Sequence, residues 1–423
     1  MPDRRTRLLM LAPFPPRTDG AHGGIRAIAT LVTELAEDHE IALLYLRSKD
    51  EPDIDESVRH ACAQAAEIRR PWSYSGNRLL KAFQLGTGLL QGTPMWVRRW
   101  RAPEFRKRLS EILENWRPDI LQVDFHLMAQ YAAVDVRLGL PKILVQHESG
   151  TAAAAEQVQR SRGTARILAQ ADHRAWSLYE RRVAAAFDRV VTFTPRDADA
   201  IADAETKRRV VTIPLGVRVP LEPSSARGTD GTVVFIGSFV HYPNEDAAAR
   251  LATRILPLVH SQMPSAILHI VGSAVPEGIE ALAGARVRVH SSVPDVTPYL
   301  DEAAVVAVPL RLGSGMRVKV LEALAAGKAM VCSRLAVDGL SVRDRLEVRL
   351  ADDDAEFANT IVELLQSPEQ RRELATRARQ WAIEHASSRR TSDGFRTLYD
   401  QLLHEHTDGP TLHGRSGIAL PVG

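Results

Sequence analysis

A chain of 423 residues exceeds what one ordinary hydrophobic core organises, and at roughly 150 residues per domain two or three domains are expected. Its 45% hydrophobic and 25% charged residues, with a formal net charge of +2, are the balance of a soluble globular protein. Only two cysteines occur, Cys62 and Cys332, which excludes a disulfide framework and a cysteine-based zinc site of ordinary spacing, and a reducing, cytoplasmic compartment follows.

The apolar run Leu8-Leu9-Met10-Leu11-Ala12 stops at Pro13, Pro15 and Pro16 without a small-residue cleavage site. It reads as a buried first strand and not as a leader. No apolar run approaches the length that spans a bilayer. Further strand candidates in the first half are Glu40–Leu46, Asp119–Val123, Lys142–Gln146, Arg189–Phe193 and Val210–Ile213, after Arg7–Ala12. Their near-continuous Val, Ile and Leu content suits a parallel sheet covered on both faces. A helix over Ile25–Glu37 places Ile28, Leu31, Val32 and Leu35 on one stripe.

The stretch Leu221–Gly231, rich in Pro, Ser and Gly, reads as a linker, after which the rhythm restarts. Strands are expected at Thr232–Ile236, Ala266–Val271, Arg286–Val289, Ala304–Val308, Ala329–Ser333 and Val348–Leu350, with helical patterns such as Asp246–His260 and Val318–Ala326 between them. Alternation of this kind implies an α/β architecture of two Rossmann-like, doubly wound parallel sheets, residues 1–220 and 221–385, facing a cleft. Ligands of such sheets bind beyond the carboxyl ends of the strands. The last helical pattern, Glu369–His404, is broken near Ala386–Ser392, and its final part, 386–404, is expected to return to the first domain. The tail 405–423 lacks periodicity and is expected to be disordered.

The most informative stretch runs from Pro309 to Gly327. A strand ends at Pro309, a glycine-containing loop follows, and a helix is expected to begin near Gly315 or Met316. Gly313 and Gly315 let backbone approach a ligand, and the bare amides of a helix start suit a phosphate. Arg317 and Lys319 in the first turn oppose the helix dipole. The placement makes sense if an anion such as a diphosphate sits there. Lys319 could instead merely pair with Glu322, worth about 0.3 kcal/mol. Glu322, alone in an apolar helix, is either a solvent-edge residue or held for a ligand hydroxyl, and the residues alone leave both open.

Two nucleotide motifs fail. Gly327-Lys328 is followed by Ala329 and preceded by Glu322 where a nucleotide-hydrolysing loop requires glycine. Neither Gly20-Ala21-His22-Gly23-Gly24 nor Gly313-Ser314-Gly315 has the third glycine of a dinucleotide fingerprint.

Taken in order, several segments resemble the GT-B fold retaining glycosyltransferases of family four, the group 1 glycosyl transferases of the bacterial polysaccharide and glycolipid type. They are Gly23-Gly24, Arg117-Pro118-Asp119-Ile120 leading to Asp124-Phe125-His126, Ile213-Pro214-Leu215-Gly216-Val217, Phe235-Ile236-Gly237-Ser238, and Gly313–Gly327 with Val331-Cys332-Ser333. The resemblance extends from about Leu8 to Leu403. It implies transfer from a nucleotide-diphosphate sugar with retention, without a metal ion or other cofactor, Arg317 and Lys319 stabilising the leaving diphosphate. Donor contacts are then expected from Gly23, Gly24, Gly237, Ser238, Ser292, Val293, Gly313, Ser314, Gly315, Met316 and Glu322. His126 is expected near the reacting centre, with His147 on the acceptor side. The sequence departs from the family pattern in three places. Ser314 stands at the first of two glutamates, Ser238 at the usual arginine and Asn244 at the usual lysine. Arg317 and Lys319 read as substitutes for the lost cations.

Alone, a strand-end histidine is more often a structural hydrogen-bonding residue, and His22 and His241 read as ordinary loop residues. No His, Asp and Glu spacing indicates a metal site. Between Arg59 and Arg117, 12 Lys/Arg stand against 4 Asp/Glu, and Trp96, Arg98, Arg99, Trp100, Arg101, Phe105, Arg106, Lys107 and Arg108 interleave cations with aromatics. The residues alone leave open nucleic acid, anionic lipid headgroups and a basic helix with its aromatics turned inward; the resemblance to a family many of whose members act on lipid-linked acceptors implies peripheral contact of residues 96–108 with the inner face of an anionic membrane in preference to nucleic acid. The expected partners are a nucleotide-sugar donor and a glycan, lipid-linked or small-molecule acceptor. The altered motif positions also admit a non-catalytic nucleotide-sugar-binding or partner subunit.

Overall fold

A computed structural model describes residues 4–20, 22–70, 92–132, 139–201, 206–224, 228–293, 295–313, 315 and 317–408. Ser314, Met316 and residues 409–423 of the expected tail lie outside the described residues. The chain forms two compact units, one of Met1–Thr18, Ile28–Pro214 and Ser392–Gly423, the other of Asp19–Ala27 and Leu215–Thr391.

Unit 1 is built on seven strands, β1 (Arg7–Ala12), β2 (Glu40–Arg47), β3 (Gln64–Arg69), β4 (Ile120–Asp124), β5 (Lys142–Gln146), β6 (Arg189–Thr192) and β7 (Val210–Thr212), in the order β3-β2-β1-β4-β5-β6-β7. Every pairing is parallel, with Leu8 opposite Ile41 on one side and Ile120 on the other. The continuous apolar runs of β1 and β2, Leu8–Ala12 and Ile41–Leu46, are buried because helices cover both faces of a parallel sheet. Strand order reverses between β1 and β4, the switch point at which such sheets open a crevice. The helices that matter below are α1 (Gly23–Leu35), α2 (Gly150–Arg160) and α3 (Gly163–Ala186).

Unit 2 carries six strands, β8 (Thr232–Ser238), β9 (Ile267–Ser273), β10 (Val287–Ser291), β11 (Val305–Val308), β12 (Met330–Cys332) and β13 (Arg349–Leu350), all parallel, in the order β10-β9-β8-β11-β12-β13. Its switch point lies between β8 and β11. Helices α4 (Tyr242–Arg250), α5 (Val318–Ala325) and α6 (Pro368–His385) belong to it.

Helix α7 (Ser388–Asp408) joins unit 1 from Ser392 onward. It buries Phe395, Leu398, Tyr399 and Leu402, each worth about 2 kcal/mol of apolar transfer, and Arg396 bonds Asp38 and the carbonyl of Glu34. Because α7 continues to Asp408, the expected irregular tail does not begin at Glu405.

Three further expectations differ from the structure. The segment read as a linker packs onto unit 2 where it is described: Ser224 donates its amide to the Ala326 carbonyl, and Thr229 to that of Glu302. The chain enters unit 2 earlier, at Leu215, where Gly216 donates to Thr391 Oγ1 and Val217 to the Ala386 carbonyl. A Cβ on Gly216 would lie 2.1 Å from the Ser387 carbonyl oxygen, so only glycine fits between these two crossings. Lastly, residues 19–27, read as part of the first domain, group with unit 2 because Gly23 packs directly on Val318.

Candidate active site

In unit 2 the C-terminal strand ends line up by register: Ser238 opposes Ser273 and Gly237 opposes Gly272, which in turn opposes Ser291. A Cβ on Gly272 would meet the Gly237 carbonyl oxygen at 1.8 Å, so the backbones here approach more closely than any side chain allows. Ser292 follows at φ +56 and donates its amide to the Gly272 carbonyl, leaving Ser292 and Val293 at the open end of edge strand β10.

Across the switch point, the loop after β11 is clamped from behind. Arg250 donates to the Pro309 carbonyl at 3.0 Å while paired with Asp354 at 2.6 Å, and Ser333 Oγ donates to the Leu310 carbonyl. Gly313 and Gly315 sit at φ +113 and +85, conformations that L side chains avoid. Helix α5 starts at Val318, two or three residues later than the sequence reading placed it, because the loop needs these left-handed glycines before the helix can begin. Arg317 is consequently the N-cap residue and not part of the first turn, and no described side chain caps the helix. Its guanidinium folds back onto the Gly313 carbonyl at 3.2 Å, and the residue is only 8% exposed.

Lys319 reaches forward from the first turn, half-buried, and donates to Asn244 Oδ1, its ammonium 5.0 Å from the centre of the Phe235 ring. Asn244 Nδ2 donates in turn to the Ser238 carbonyl at 2.7 Å. Lys319 thus occupies the neighbourhood of residue 244, where the family pattern has its own lysine. Burial, and then the positive charge of Arg317, bring the Lys319 pKa down to about 7, against the opposing pull of Glu322.

Glu322 is engaged by a residue on which the sequence reading placed no role. Arg26 binds both its carboxylate oxygens at 2.8 Å and also donates to the Gly20 carbonyl. Gly23, at the start of α1, lies against Val318, where a Cβ would sit 2.5 Å from a methyl group; buried Gly24 follows it. Unit 2 therefore gathers Gly23, Arg26, Ser238, Asn244, Gly313, Arg317, Lys319 and Glu322 around the start of α5.

In unit 1 the residues beyond β4 and β5 form a closed network. Phe125 takes φ +68, uncommon for a bulky side chain, held by stacking on His147 at 4.1 Å and by an edge contact with Phe14. His147 Nε2 bonds Asp124 Oδ1 at 2.9 Å; Gln122 Nε2 donates to Asp124 Oδ2, and Tyr399 Oη to Gln122 Oε1 at 2.5 Å. The second ring nitrogen of His147, Nδ1, is buried without a hydrogen-bond partner. His126 is 2% exposed, its Nδ1 on the Glu148 carbonyl at 3.2 Å and its ring edge-on to Trp176. Among the described residues no group of three or more His, Cys, Asp or Glu is placed to hold a metal ion.

The basic segment 96–108 turns most of its aromatics inward. Trp100 lies buried beneath Arg70, and Phe105 packs on Tyr131, leaving Trp96 exposed. Burial and the nearby Arg101 lower the pKa of both Arg98 and Arg106.

Sequence and structure comparisons agree with this architecture. A profile described as Glycosyltransferase Family 4 matches residues 21–219, and one described as Glycosyl transferases group 1 matches residues 230–367. No curated protein matches the sequence. Among solved structures, sucrose-phosphate synthase from Thermosynechococcus elongatus is similar at 17% identity and a TM-score of 0.69, over 95% of this chain and 100% of its own. HepE from Anabaena, in complex with UDP and glucose, is similar at 10% identity and a TM-score of 0.63, over 94% and 100%. A glycosyltransferase from Rickettsia africae is similar at 10% identity and a TM-score of 0.60, over 95% and 99%. With each half matched by a glycosyltransferase profile and both sheets folded as in these neighbours, the chain belongs to the group 1 glycosyltransferases of GT-B architecture.

Proposed function

We propose that this protein transfers a sugar from a nucleotide-diphosphate sugar to a glycan, lipid-linked or small-molecule acceptor, with retention of anomeric configuration and without a metal ion. The observation that carries the reading is the cation pair at the start of α5, where Lys319 has a pKa near 7 beside Arg317 and a helix start that no described side chain caps. A diphosphate placed there would meet bare amides, a guanidinium and an ammonium, and would restore the lysine to its charged form. Negative charge grows on the leaving diphosphate as the glycosidic bond breaks, so the same groups bind the transition state more tightly than the ground state. They supply the charge compensation that a metal would otherwise provide. Gly313 and Gly315 allow the close backbone approach, Gly23 and Gly24 would do the same for the sugar, Gly237 and Ser238 would face the donor, and Ser292 and Val293 would read the base. Glu322 would take the ribose. His126 and His147 would border the acceptor. The similar HepE fold, solved with UDP and glucose, supports a donor of this class.

A non-catalytic sugar-nucleotide-binding subunit is the second reading, favoured by the engagement of Glu322 with Arg26 and by Ser314 at a glutamate position. Incubation of the purified chain with UDP-, GDP- and ADP-sugars in the presence of a chelator separates the two. Slow release of free sugar, lost in Arg317→Ala, supports transfer. Binding without turnover of any donor, with any acceptor tried, supports the second reading. The anomer of the product, read by proton NMR, tests retention.

A further inference from the structure

Helix α3 is 24 residues long and so spans about 36 Å, far more than the short strands β5 and β6 that flank it in sequence. Its level against the sheet is fixed by Glu180. That carboxylate accepts from Gln146, the last residue of β5, and from the amides of Gly150 and Thr151 at the start of α2. The 17 residues of α3 that precede Glu180 make up roughly 25 Å of helix on the far side of that anchor, beginning beside His126 and Gly150, where Trp176 packs, with α2 alongside. The hairpin ends in a tip formed by residues 159–168.

The composition of this tip is unusual for a solvated turn. No acidic residue stands between Glu156 and Asp172, while Arg160, Arg162 and Arg166 are all present and exposed. Beside them Ile167 is 67% and Leu168 51% exposed, two branched aliphatic side chains that the described residues leave largely open. One turn along α3, Asp172 accepts from the amide of Met95, which brings up Trp96, itself 41% exposed. Arginines alone would suit any polyanion. Aliphatic side chains at the apex and a tryptophan further back suit a bilayer, where apolar groups enter the acyl boundary, indole rings lie at headgroup depth and arginines meet phosphates. A nucleic acid would call for stacking aromatics at the apex, and there are none.

We propose that the tip of the α2–α3 hairpin is a docking surface for an anionic lipid bilayer, Arg162 and Arg166 binding headgroups while Ile167 and Leu168 insert. Residues 96–108 contribute only Trp96. Because the hairpin projects from the edge of the sheet that carries Phe125, His126 and His147, docking turns that edge toward the membrane. The surface does not rest on the sugar-transfer reading; the consequence for a lipid-linked acceptor does.

The test is cosedimentation of the full chain with phosphatidylcholine vesicles containing or lacking phosphatidylglycerol. Binding only to the anionic vesicles is expected, falling with salt. Arg162→Gln with Arg166→Gln should weaken it about 25-fold, roughly fivefold per arginine. Ile167→Ser with Leu168→Ser should weaken it while leaving its salt dependence intact. Both variants should melt like the parent and hydrolyse soluble donor at the parental rate, so loss of docking is read separately from any failure of the proposed chemistry. Equal sedimentation with both vesicle types, no sedimentation, vesicle binding indifferent to the tip variants, or tighter binding to a single-stranded oligonucleotide than to anionic vesicles would each overturn the proposal.

Discussion

At the switch point of unit 2, two cations and two left-handed glycines surround a helix start that no described side chain caps. At the switch point of unit 1, Phe14, Asp124, Phe125, His126 and His147 are buried and locked by stacking and a hydrogen-bonded chain that runs to Tyr399. The first arrangement concentrates positive charge at a helix start, Arg317 folded onto the Gly313 carbonyl and Lys319 onto Asn244. The second is nearly complete in itself and can change little without loss of stability. Two parallel sheets of one chain thus carry contrasting switch points, one rich in positive charge and one closed by packing.

The strongest way to break this contrast is to remove the charge. Arg317→Ala should lower kcat for donor turnover by about 10²–10³, the usual loss when one transition-state hydrogen-bond donor is deleted, without changing the melting temperature appreciably. On the other side, Asp124→Ala leaves both Gln122 Nε2 and His147 Nε2 without their buried acceptor. It should cost about 2–4 kcal/mol in urea unfolding while nucleotide affinity measured by calorimetry stays unchanged.

Proton linkage sharpens the comparison further. The Lys319 pKa is near 7 in the empty protein and must rise when a diphosphate binds, so binding takes up a proton above neutrality. Nucleotide-diphosphate affinity should be greatest below about pH 7 and weaken by up to about tenfold per pH unit above it, a slope that Lys319→Met removes. The smallest expected effect concerns Glu322. Its pair with Arg26 is about a quarter exposed on each side and is worth about 0.5–1 kcal/mol. If Arg26 competes with ribose for that carboxylate, Arg26→Ala should tighten uridine binding about two- to fivefold; unchanged or weaker binding would remove the competition.

Much of the fold was written in short-range patterns. Runs such as Leu8–Ala12 and Val233–Ile236 announce buried parallel strands, and glycines punctuate the loop before α5. Strand β3 was missed because Gln64-Ala65-Ala66-Glu67-Ile68-Arg69 lies at the sheet edge with no fully buried residue, so it carries no hydrophobic signal. Arg317 and Lys319 could be singled out because they stand two residues apart after that loop. Arg26 could not, since its partner lies 296 residues away, and local spacing says nothing about such a meeting. The same holds for Asn244, marked in the sequence as a lost lysine and found in the structure bonded to Lys319.

The chain enters unit 2 at Leu215 and leaves it after Thr391, and these two passages are hydrogen-bonded to each other through Val217, Ala386 and Ser388. Anyone recombining this protein with a relative to trade donor preference would therefore need paired cuts, one before Leu215 and one after Thr391, and would also have to decide which parent supplies residues 19–27. A single fusion point would leave one half without the helix that completes its fold.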